Sequence, residues 1–176
     1  MTEYRHIIDE NLATYLKKLI ELIRNRVSTS SNVPFDVRFD EKDDKLKMFE
    51  IKIIDGVLDD IPDFKVILKE KSYSFTDKTD IKNFSFHLQN KENKSDFVRF
   101  DLDFNEAKKG FPPIHANADG NVWSKEHLIY PEDIGINIER MNCLKAIYIF
   151  SHYINHTNEH PYDNEHNEWY KAQLNE

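Results

Sequence analysis

Apolar and polar residues alternate most regularly between positions 83 and 104. In the run Asn-Phe-Ser-Phe-His-Leu-Gln (83–89), a strand sends Phe84, Phe86 and Leu88 to one face and Ser85, His87 and Gln89 to the other. The run Phe-Val-Arg-Phe-Asp-Leu-Asp-Phe (97–104) places Val98, Phe100, Leu102 and Phe104 on a core face. Arg99, Asp101 and Asp103 then stand on the opposite side. The polar segment 90–95 joins the two runs as a hairpin whose loop exceeds a tight two-residue turn. If paired positions sum to 186, His87 faces Arg99 and Ser85 faces Asp101. A slip of one residue would disperse this group.

The periods on either side differ. From Glu3 to about Val27, Ile8, Leu12, Tyr15, Leu16, Leu19, Ile20 and Ile23 recur at steps of three and four, predicting an amphipathic helix with Thr2 as its N-cap. Lys17, Lys18, Glu21 and Arg24 occupy its wet side. A polar linker, 28–32, precedes two short strands, one carrying Phe35, Val37 and Phe39, the other Leu46, Met48 and the run 49–53. Asp55-Gly56 reads as turn chemistry. Residues 64–75 read as one long strand or two shorter ones, with a bulge or bend at 69–72. Residues 77–80 form another polar break.

After the hairpin, residues 105–124 carry Gly110, Pro112, Pro113 and Asp119-Gly120, and read as a loop that delivers His115. A short strand is expected at 127–130, an alternating run at Ile134, Ile136 and Ile138, and a helix from about Met141 with Leu144, Ile147, Tyr148, Phe150 and Ile154 as its apolar stripe. The expected fold is therefore α+β: a mainly antiparallel sheet flanked by an N-terminal helix and a C-terminal helix. Residues 1–155 form a single domain. Residues 156–176 form a polar extension, with a short peripheral helix or a frayed tail at 163–174.

Composition narrows the setting. At 176 residues the chain is long enough for one ordinary core, and its lone Cys143 excludes an internal disulfide. The opening residues lack a signal peptide's apolar segment, and no apolar run approaches the roughly 20 residues of a membrane-spanning helix. The expectation is a cytoplasmic protein with no membrane partner. With 32 acidic against 24 basic residues, the formal charge of −8 disfavours general coating of nucleic acid and favours basic partners. A local basic groove would still admit RNA.

The candidate chemistry centres on His87, Arg99, Asp101 and His115, with Asp103 and His127 as additional candidates. His87 can exchange a proton near neutral pH, Arg99 can hold an anionic oxygen, and a carboxylate can fix an imidazole tautomer. With His115 these groups form an acid and base pair suited to attack of an RNA 2′-hydroxyl on its neighbouring phosphate, without a cofactor or a metal. The same residue types on a sheet face also serve as ordinary solvated pairs. Two metal alternatives compete. His152, His156 and His160, four residues apart, would line one helix face for zinc or nickel, and Asp101 and Asp103 with His87 would offer an oxygen-rich centre. Cys143 sits in an apolar pattern and reads as core.

The order Phe-Ser-Phe-His-Leu-Gln (84–89), Val-Arg-Phe-Asp (98–101) and Phe-Pro-Pro-Ile-His (111–115) resembles the core of TumE-type toxins of bacterial toxin–antitoxin systems. Those proteins carry a Tyr-Ser-Tyr-His stretch, an Arg-x-Asp stretch and a proline-containing loop bearing histidines. The resemblance covers about a fifth of the chain and implies a toxin neutralised by an antitoxin protein, with His87, Arg99, Asp101 and His115 in its site. The competing expectation is a non-enzymatic protein-binding or regulatory protein of mobile-element or defence origin.

Overall fold

The first strand comes where a helical period was expected. In the computed structural model, which describes residues 5–30, 34–105, 109, 113–118, 127–128 and 140–155, His6–Ile8 forms β1. Helix α1 spans only Leu12–Arg26. Its N-cap is Asn11, whose side chain accepts from the Thr14 N–H at 3.0 Å. Ile8 stands four residues before Leu12 and so imitates a helical step. The pair Ile7-Ile8 is β-branched, however, and β1 finds an open stretch of sheet to join. Thr2 lies outside the described residues.

The remaining elements are β2 (Val27–Ser28), β3 (Phe35–Phe39), β4 (Leu46–Leu58), β5 (Phe64–Phe75), β6 (Lys78–Asn90), β7 (Phe97–Leu102), β8 (Ile114–Ala118), β9 (His127–Leu128) and helix α2 (Cys143–Asn155). Among the described residues nine strands join, in the order β2-β4-β5-β6-β7-β8-β9, with β1 on β6 and β3 on β4. Every described pairing is antiparallel. The architecture is α+β, a mainly antiparallel sheet with one N-terminal and one C-terminal helix. Among the described residues no helix is long and apolar enough to cross a membrane.

Both helices contribute to one core with the inner face of the sheet. Leu12, Tyr15, Leu16 and Leu19 of α1 and Cys143, Ala146, Ile147 and Phe150 of α2 are buried together with Ile51, Ile53, Val66, Leu68, Phe84, Phe86, Val98 and Phe100. This division leaves the other face, with His87, Arg99 and Asp101, free of both helices. One polar group is enclosed among the apolar ones. Glu70 Oε2 accepts from Tyr15 Oη at 2.8 Å and from the Cys143 N–H at 2.9 Å, while Oε1 accepts from Ser72 Oγ at 2.7 Å. Burial pushes its carboxyl from an ordinary 4.5 up to about 7.

Local irregularities depart from the simplest reading of the sequence. Asp55-Gly56 is not a turn but lies inside β4, where the register shifts between Ile53 and Gly56. A glycine is needed there because a Cβ would stand 2.7 Å from Ile53 Cγ2 and 3.0 Å from Val66 Cγ2. Gly56→Ala is expected to cost about 1–3 kcal/mol in chemical denaturation, through overpacking between neighbouring strands. Residues 64–75 form one strand with a register shift between Lys71 and Ser72. The break at 77–80 is narrower than expected: Thr76 turns with φ 56°, and Lys78, Thr79 and Asp80 already belong to β6. The expected alternation at 134–138 and the extension 156–176 lie outside the described residues.

Candidate site on the open face of the sheet

The hairpin forms in the register that its alternation favours. His87 pairs with Arg99 and Ser85 with Asp101, because Phe86, Leu88, Val98 and Phe100 all need the same buried face. His115 is placed differently from expectation: it belongs to strand β8, not to a crossing loop, and pairs with Asp101. Ile114 explains the change, since the strand buries this side chain and so turns His115 to the open face.

Two parallel rows result. One runs Lys52, Lys69, Ser85, Asp101, His115 across β4 to β8. The next runs Ile67, His87, Arg99, Asn117, His127 across β5 to β9. His127 thus takes a register position in line with His87 and Arg99. His87 and His115 stand on either side of β7, roughly 12 Å apart at Cα by ideal sheet spacing.

Between them Arg99 and Asp101 form a pair, with Arg99 Nε 2.5 Å from Asp101 Oδ2 and Nη2 donating to Oδ1 at 3.1 Å. Two residues apart on one strand, they share a face, so the ion pair also fixes the guanidinium over the middle of the site. His87 is half-buried with its ring edge-on to Phe97, at a centroid distance of 5.7 Å. Burial holds its pKa below the usual 6.5, and the positive charges of Arg99 and Lys65 act in the same direction, against Asp101. Its Nε2 is shielded from water and has no hydrogen-bond partner among the described residues. Burial and the neighbouring guanidinium both favour the neutral imidazole, the form that can accept a proton.

Asp103 plays a different part. Its Oδ1 accepts from the Asn105 N–H at 2.8 Å, and its own N–H donates to the Pro113 carbonyl at 2.7 Å, so it ends β7 and ties the return to β8. Among the described residues no three His, Cys, Asp or Glu side chains gather as metal ligands. His152 lies on α2, while His156 and His160 lie outside the described residues. Cys143 is buried at the start of α2, and burial together with Glu70 pushes its thiol pKa up, away from nucleophilic use.

The sequence reading missed the lysines of the open face. Lys65, Lys69 and Lys71 share a parity on β5, and register sets Lys69 beside Lys52 of β4 and Ser85 of β6. Lys71 meets Glu50 at 3.9 Å, whereas Lys52 and Lys69 are exposed. A net charge of −8 conceals this arrangement, yet the odd-numbered lysines between 65 and 71 carried its signal. No family model, curated protein or solved structure matches the chain.

Proposed function

We propose that the open face of the sheet binds RNA and cleaves it without a metal, as a small cytoplasmic toxin held in check by an antitoxin protein. The observation that carries this reading is the placement of two histidines on either side of the Arg99–Asp101 pair, on a face whose adjoining row continues into Lys69 and Lys52. In the proposed reaction, neutral His87 takes the proton of a ribose 2′-hydroxyl. The resulting oxygen attacks the adjacent phosphorus and forms a cyclic phosphate. Arg99 offsets the charge that develops on the phosphoryl oxygens. His115 gives its proton to the departing 5′-oxygen. Lys52 and Lys69 hold neighbouring phosphates.

The competing reading is non-enzymatic binding to another protein. It draws on the same ion pair, because Arg99 and Asp101 satisfy one another in the manner of an ordinary pair on a sheet face.

Expression of the wild type, His87→Ala and His115→Ala in a bacterial host separates these readings, with thermal unfolding used to establish that all three fold. Wild type is expected to arrest growth and, when purified, to cleave single-stranded RNA in the presence of a chelator, leaving cyclic phosphate ends. Each variant should lose about 10²–10⁴-fold in cleavage rate. The acid limb of the wild-type rate profile should fall below pH 6.5, since the His87 pKa is depressed. Folded variants as active as wild type would eliminate the catalytic assignment.

A further inference from the structure

Strand β3 lies on the edge of the sheet, paired with β4 on one side and with no described strand on the other. Its two ends show which backbone groups face which way. The Pro34 carbonyl accepts from the Lys52 N–H at 2.9 Å, and the Asp40 N–H donates to the Lys45 carbonyl at 2.8 Å. Even-numbered residues of this strand therefore direct their peptide groups at β4. The N–H and C=O groups of Phe35, Val37 and Phe39 point outward.

The side chains on this edge are unusual for a strand left bare. Val37 is 40% exposed and Phe39 53% exposed, on the same face of the sheet as the core. Edge strands that remain single are ordinarily guarded by a proline, an inward charge or a bulge that turns the edge away. Here the proline is Pro34, ahead of the strand; the two charges, Asp36 and Arg38, lie 3.9 Å apart on the opposite face with 63% and 68% of their side chains exposed; and the one register irregularity, at Arg38/Phe39, falls at the end of the strand against β4.

The sequence Phe-Asp-Val-Arg-Phe (35–39) is complementary to itself when reversed. We infer that β3 pairs with β3 of a second copy of this chain, antiparallel, about a two-fold axis at Val37. In that register Val37 meets the partner subunit's Val37, and Phe35 meets the partner subunit's Phe39. Asp36 meets the partner subunit's Arg38, and both of these contacts occur twice. The pairs at 35, 37 and 39 are also the hydrogen-bonded kind, so all the outward peptide groups find partners.

Charge selects this register over its neighbours. Moving the axis to Asp36 opposes two carboxylates, and moving it to Arg38 opposes two guanidinium groups, each a repulsive cross-strand pair. Because a two-fold axis normal to the sheet keeps each face on its own side, the open faces of both copies would lie on one side of a continuous sheet. The inference is independent of any catalytic role for that face.

The test uses reciprocal charge reversal in the full chain, read by sedimentation across a dilution series. Wild type is expected to dimerise reversibly. Asp36→Arg alone sets like charges opposite one another, and so does Arg38→Asp alone; each should weaken dimerisation about tenfold or more. An equimolar mixture of the two variants restores both opposite-charge contacts and should dimerise as wild type does, as a heterodimer. At concentrations too low for dimers, thermal unfolding of the variants should match that of wild type, since both side chains are mostly exposed; at higher concentrations the wild type should gain stability that the single variants lack. A wild type that is monomeric at every concentration would overturn the inference. So would a dimer indifferent to the single reversals, or single variants whose mixture stays monomeric.

Discussion

Replacing Glu70 with glutamine is expected to stabilise the protein by about 3 kcal/mol at pH 8 while changing little at pH 4. The wild-type carboxyl titrates near an ordinary 4.5 when unfolded and near 7 when buried in the fold. Below pH 4.5 both states hold the proton and the difference vanishes. As pH rises from 4.5 to 7 the unfolded chain releases its proton while the folded chain retains it, so stability falls. Above 7 both are ionised and the loss is constant. Glutamine has no proton to lose, and it fits the same contacts. Its carbonyl can take the place of Oε2 and accept from Tyr15 and Cys143, while its amide donates to Ser72, whose hydroxyl can turn to accept.

A second buried group works in the opposite sense. His6 is almost fully buried, its Nε2 lies 2.5 Å from the Met141 carbonyl oxygen, and burial lowers its pKa despite that contact and the nearby Asp80; Lys145 lowers it further. An imidazole with a depressed folded pKa contributes stability that is lost as pH falls from 6.5 through the folded value. In the wild type this loss is masked by the gain at Glu70 over the same range. Glu70→Gln should therefore unmask acid sensitivity below about pH 6.5 in urea denaturation carried out from pH 4 to 8. Parallel profiles for variant and wild type would show that the carboxyl is ionised in the fold at ordinary values.

The hairpin was legible because each of its strands buries one complete parity. Once Phe86 and Phe100 must both face inward, His87 and Arg99 have little choice but to meet. The position of His115 was less accessible, since β8 begins directly after two prolines and carries only one large apolar residue, Ile114, before Ala116 and Ala118. Its propensity signal is weak, and pairing with β7 decides its state. The N-terminal helix starts later than its periodicity predicts for a related reason: Ile8 satisfies both periods, and only the sheet edge offered by β6 decides between them. Glu70 was hidden in the quartet 69–72, where three neighbouring polar residues made solvent exposure the natural expectation. Burial of that single carboxylate depends on Tyr15 and Cys143, 55 and 73 residues distant in the chain. Local sequence carries no trace of such a contact.

Phe100→Ala is expected to reduce stability by about 3–5 kcal/mol, equivalent to a fall of roughly 10 °C in melting temperature. Phe100 is 1% exposed and stacks on Phe150 of α2, with ring centroids 6.2 Å apart and planes 18° apart. Truncation therefore removes a large buried surface and leaves a cavity between the sheet and the helix. Phe97→Ala is the matching control. That ring lies on the open face, half-buried against His87, and its removal should cost much less stability. The two variants also separate scaffold from site. Arg99 and Asp101 are joined through Phe100, so loosening its anchorage should disturb the Arg99–Asp101 pair along with stability, whereas loss of Phe97 should alter the titration of His87 in a fold of nearly undiminished stability. Nuclear magnetic resonance of the imidazole protons reads the second effect directly. Phe97→Ala should bring the His87 pKa back up towards 6.5 as water reaches the ring, because burial is the largest cause of its depression.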